Sequence, residues 1–77
     1  MTLTEAIKVR LKEIMEQKGF TAYKLHKEGG IPKSTISQVL NGVRKGIEVK
    51  TLYELLDTMH VGLGEFFSNP LFEQVTD

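Results

Sequence analysis

Cysteine is missing altogether from the 77 residues, so no disulfide can staple the fold, as expected of a small protein from a reducing compartment. Long apolar runs are missing too. Apolar residues never stand more than two in a row, which leaves no candidate for a membrane-spanning helix. The opening MTLTEAIKVR has neither the basic start nor the long apolar stretch of a secretory signal, and the expected location is the cytoplasm. Strand patterning is scarce, and repeats, low-complexity runs and long linkers are absent. The length lies near the lower limit at which an unaided apolar core holds a fold together. One domain is therefore expected, with no second one to sense a small molecule. A chain this short hardly encloses a catalytic pocket. His26 and His60 are its only histidines, and without cysteine or a close second ligand they make no metal site. Neither an enzyme nor a cofactor is expected.

Net charge is also lacking, but the zero hides an asymmetry. Residues 1–47 hold nine Lys/Arg against four Glu, or +5, whereas residues 48–77 hold one Lys against six Asp/Glu, or −5. Between Glu28 and Glu48 there is no acidic residue at all, while Lys33, Arg44 and Lys45 fall there. A polyanion would meet no repulsion along that segment.

What is present is helical spacing, with apolar residues recurring every three or four positions. An all-α domain follows. Thr2 and Glu5 read as a capping box for a first helix with Leu3, Ile7, Leu11, Ile14 and Met15 on one face, closed by a left-handed Gly19. Thr21 caps a short second helix that Gly29-Gly30 stops. The third helix starts near Pro32 and ends at Asn41-Gly42. After a loop over residues 43–48, a fourth helix carries Val49, Leu52, Tyr53, Leu56 and Met59. A short fifth holds Leu63, Phe66 and Phe67, whose apolar positions read most simply as core.

The third helix, within GGIPKSTISQVLNG, has an unusual outer face. At about 100° per residue, Ile36, Val39 and Leu40 share one arc and turn to the core. Lys33, Ser34, Ser37, Gln38 and Asn41 share the opposite arc. A solvated face is ordinarily rich in Glu, Lys and Arg. Ser and Asn are middling helix formers, and Lys33 sits at the unfavourable end of the helix dipole, so local stability does not account for these residues. Hydroxyls and amides that donate and accept, with one leading cation, suit the reading of base edges and phosphates. A short helix, a glycine-containing turn and a second helix with a polar face form a helix-turn-helix.

Residues 20–42, from Phe20 through GIPKSTISQVLNG, resemble the lambda-repressor-like (Xre/Cro-type) helix-turn-helix family, and VKTLYELLDTMHVGLGEFF resembles its fourth and fifth helices. The resemblance covers roughly residues 5–67. It implies a five-helix DNA-binding domain over 1–67, with 68–77 as a C-terminal tail. It also implies a small transcriptional regulator, expected to be a repressor of bacterial or phage type. Carried over residue by residue, it assigns base contacts to Lys33, Ser34 and Gln38. Contacts to the DNA backbone fall to Thr21, Tyr23, Ser37, Asn41, Arg44 and Lys45. Two departures from the family matter. Ala22 replaces a Gln that bonds phosphate. Met15 and Leu40 replace a buried Arg–Glu pair, an apolar exchange that should bring them into contact. His26, at a position often occupied by Ala, is expected to point outward or toward phosphate.

Large apolar side chains near the end of the chain exceed the evident need of a small core. The tail either folds back as a cap or joins Leu63, Phe66, Phe67, Leu71 and Phe72 in a dimer interface. A homodimer would set two recognition helices about one turn, roughly 34 Å, apart on double-stranded DNA. The alternative is an antitoxin-like interaction module that binds a protein partner through this apolar end.

Overall fold

The first two helices of the computed structural model, which describes residues 1–42 and 46–76, begin where a threonine side chain supplies a partner for unpaired backbone groups. α1 (Leu3–Lys18) opens with the expected capping box. The Glu5 N–H donates to the Thr2 hydroxyl at 3.1 Å and the Thr2 N–H donates to the Glu5 carboxylate at 2.9 Å. That backbone donor, followed by the hydroxyl, holds the Glu5 carboxyl below the usual glutamate range. At the other end, the Phe20 N–H reaches the Met15 carbonyl at 2.8 Å and the Gly19 N–H reaches Glu16 at 3.3 Å. This Schellman pattern folds Phe20 back against the core.

α2 (Ala22–Gly29) starts with the Lys24 N–H donating to the Thr21 hydroxyl at 3.1 Å. α3 (Lys33–Asn41) follows Pro32 and has no side-chain cap. α4 (Val49–Thr58) ends in a second Schellman pattern, with His60 N–H to Asp57 at 3.0 Å and Val61 N–H to Leu56 at 2.9 Å. Here the left-handed position is held by His60, at φ 60°, rather than by glycine. α5 (Leu63–Phe67) leads into a 3-10 helix over Pro70–Gln74.

No strand occurs among the described residues. A single apolar cluster joins Ile7, Leu11, Ile14 and Met15 of α1 to Leu25, Ile31, Ile36, Leu40, the inner face of α4, Val61 and Phe66. Met15 and Leu40 both belong to this one cluster. α2 packs on both α3 and α4, and α1 packs on α3 and on the 3-10 helix.

Some apolar positions are not where their spacing put them. Leu3, Val49 and Tyr53 are exposed, whereas Leu55 is buried. Leu3 and Val49 are the first residues of their helices and project beyond the core, and Tyr53 lies one turn along from Val49. The inner arc of α4 is set by Leu52, Leu55, Leu56 and Met59. The tail folds back. Its Phe72 ring lies 5.6 Å from that of Phe66 and 4.9 Å from that of Phe67, and the Thr76 N–H donates to the Met1 carbonyl at 3.1 Å. Arg10 reaches across from α1, its Nε–H donating to the Phe66 carbonyl at 3.0 Å, and so fastens the end of α5.

The helix-turn-helix is set against α4 by a close approach at Gly29. A Cβ there would stand 2.4 Å from the Thr58 Oγ1 and 3.2 Å from its Cγ2, while that hydroxyl donates to the Glu54 carbonyl at 2.8 Å. Gly29→Ala is expected to lower stability by about 1–3 kcal/mol, as overpacking does, measured by urea unfolding. Thr58→Ala in the same chain should restore most of the loss. Purely additive effects of the two changes would show that the clash is not its cause.

Candidate nucleic-acid interface

α3 is a nine-residue helix, too short to persist alone in water. It lacks a side-chain cap and has no acidic residue in its first turn. Tertiary contacts hold it instead. Ile36 and Leu40 are 1% and 8% exposed, and Val39 packs partly buried against the same cluster. With that face occupied, Lys33, Ser34, Ser37, Gln38 and Asn41 are all exposed on the opposite face.

Both ends of α3 are also fastened from outside. Before it, Gly30 takes a left-handed φ of 67°, a conformation that side chains resist. Its N–H donates to the His26 carbonyl at 3.0 Å. The His26 ring is half-buried and its Nδ1 lies 2.7 Å from the Ile31 carbonyl. A carbonyl can only accept, so Nδ1 carries the proton. This corrects the expectation for His26. The ring turns inward onto the backbone of the turn, because the carbonyl at Ile31 needs a donor there. After α3, the Lys8 ammonium of α1 donates to the Gly42 carbonyl, placing a cation at the negative end of the helix dipole.

Thr21 and Tyr23 are exposed at the start of α2. Beside them Ala22, Tyr23, Lys33, Ile36, Ser37 and Asn41 line a shallow groove between the two helices. Ala22 leaves this groove open. Tyr23, Ser37 and Asn41 therefore border the same groove as Lys33, Thr21 stands just before them as the cap of α2, and Ser34 and Gln38 lie further around α3. Arg44 and Lys45 lie outside the described residues. Lys24 makes only a loose, exposed pair with Glu28 at 3.8 Å, of little energetic weight. Its ammonium also stands 4.4 Å from the Phe20 ring centre.

The five residues expected at a dimer interface divide. Phe66 is wholly buried, so its ring is unavailable to a second chain and instead supports Phe67 edge-on at 4.9 Å. Leu71 and Phe72 are half-buried in the folded-back tail. Leu63 and Phe67 remain exposed. Phe67 borders an apolar groove with Leu3, Ile7, Val49 and Leu52. Leu3 and Val49 carried no sequence signal for a surface role, because their spacing is that of core residues.

His26→Ala should cost about 1–2 kcal/mol in urea unfolding, for a lost hydrogen bond that leaves a partly buried carbonyl without its donor. His26→Asn, whose amide can stand near Nδ1, should retain most of the stability. Equal losses in both variants would assign the effect to ring packing instead.

A family model described as helix-turn-helix matches residues 11–66, more than half of the chain. Neither a curated protein nor a solved structure matches it.

Proposed function

The chain belongs to the Xre/lambda-repressor-like helix-turn-helix family of DNA-binding transcription regulators, and we propose that it reads a palindromic operator as a homodimer and represses by occluding polymerase. The observation that carries this reading is the outer face of α3, uncharged but for Lys33, free of acid, and exposed because the inner face is anchored.

Base edges fall to Lys33, Ser34 and Gln38. A glutamine amide pairs both ways with adenine, a lysine ammonium donates to guanine O6 and N7 or to a phosphate, and a serine hydroxyl suits either kind of base. Thr21, Tyr23, Ser37 and Asn41 take the DNA backbone, continued in sequence by Arg44 and Lys45. These contacts set register and orientation without reading sequence.

One short recognition helix discriminates weakly, so two are needed. Leu63 and Phe67 provide exposed apolar surface for a second copy, and Leu3 and Val49 extend it. The antitoxin-like reading draws less support, because Leu71 and Phe72, on which a partner would close, are half-buried against the chain's own α1 and core. No helix among the described residues is long and apolar enough to cross a membrane. We place the protein in the cytoplasm of a bacterium or phage-infected cell, where its DNA is accessible.

Gln38→Ala is expected to remove about 1–3 kcal/mol of discrimination at one base position, read from binding to duplexes that differ one pair at a time. Lys45→Ala should instead weaken every duplex alike and flatten the salt dependence by about one phosphate contact. An unchanged base preference in Gln38→Ala would refute the role given to that side chain.

A further inference from the structure

We infer that the Tyr23 ring is a shared platform holding Lys27 and Lys33 toward the DNA, and that Lys27 is itself a contact to the DNA backbone. This rests on the DNA-reading role of α3 and adds to it a residue and a mechanism.

Tyr23 is 59% exposed, the most exposed aromatic side chain in the described chain. The Lys33 ammonium stands 5.7 Å from its ring centre and the Lys27 ammonium 5.9 Å, both within the reach of a cation–π attraction. Lys27 lies one turn beyond Tyr23 on α2, whereas Lys33 opens α3. One ring therefore ties together cations from both helices of the motif. Among the described residues neither lysine is paired with a carboxylate, so no ion pair competes for them. Gathering two like charges at one ring is unfavourable by itself, and a phosphate brought to the pair relieves the repulsion. Lysine side chains are otherwise floppy, and ordering them before binding lowers the entropy lost on contact. The ring thus has a part of its own, beside the contact that the hydroxyl makes to the DNA backbone.

The test uses the whole chain and its preferred duplex, with affinity measured across a salt series and folding monitored by thermal melting. Tyr23→Phe loses the hydroxyl given to the DNA backbone but keeps the ring, and should bind more tightly than a variant without the ring. Tyr23→Leu removes it and should bind about two- to fivefold more weakly, the size of an exposed cation–π contact. Lys27→Gln should weaken all duplexes alike and flatten the salt slope by about one phosphate contact. Its effect should shrink in the Tyr23→Leu background. The platform is refuted if Tyr23→Phe binds as poorly as Tyr23→Leu, if Tyr23→Leu binds like the wild type, or if the Tyr23→Leu and Lys27→Gln losses simply multiply. An unchanged salt slope in Lys27→Gln would refute the added contact. A wild-type chain without salt-sensitive duplex binding would instead overturn the DNA reading itself, and the platform with it.

Discussion

Burial of Ile36 and Leu40 is the contact on which the exposed face of α3 depends. Fully burying such side chains is worth about 1.5–3 kcal/mol each, more than helix propensity or capping offers a short segment. α3 needs that source, since it has no side-chain cap and begins with a lysine where the dipole favours an acid. Anchored on one side, it can carry on the other a set of residues poorly suited to stabilising a helix. The polar face and the apolar face are therefore two halves of one solution.

Anchoring a helix by one face still leaves it free to slide or tilt. The remaining constraints act at its ends. His26 ties the preceding turn through the Ile31 carbonyl, and Lys8 reaches the Gly42 carbonyl after the helix. Gly29 allows α2 to approach α4 closely, so the motif is seated on the rest of the domain. Arg10 plays a comparable part for α5, binding the carbonyl of Phe66 and leaving Phe67 at the surface. Charge follows the same division. Glu48, Glu54, Asp57, Glu65 and Glu73 are exposed in the C-terminal part of the chain, away in sequence from the segment without acid between Glu28 and Glu48. Along that segment a polyanion meets no acidic residue.

Much of this was legible in the residues. Thr2, Glu5, Gly19 and Thr21 act locally, through backbone groups within four residues or so, and their caps follow directly from spacing. The inner face of α3 was equally plain, because Ile36 and Leu40 recur at helical intervals. Long-range partners were not. Lys8 and Arg10 reach carbonyls 34 and 56 positions away, and a flexible cation gives no periodic signal of its target. His60 supplies the left-handed residue that ends α4, a place where glycine is the usual sign. His26 turned inward because the need lay in an unpaired carbonyl of the folded turn, which composition does not reveal. Val49 and Tyr53 failed in another way. Apolar spacing marks a stripe along α4, but where the core ends across that stripe depends on neighbouring helices. The exposed side chains of α3 are visible from spacing alone, while the bases that the proposed contacts would read depend on the docking angle, which is a property of a complex.

The most direct measurement is selection of bound duplexes from a random DNA pool at near-physiological salt, followed by sequencing. An α3 face that reads base edges in a symmetric dimer should enrich an inverted repeat whose half-sites lie about one helical turn apart. Salt-sensitive binding with no enriched sequence would contradict that, leaving a basic surface without readout.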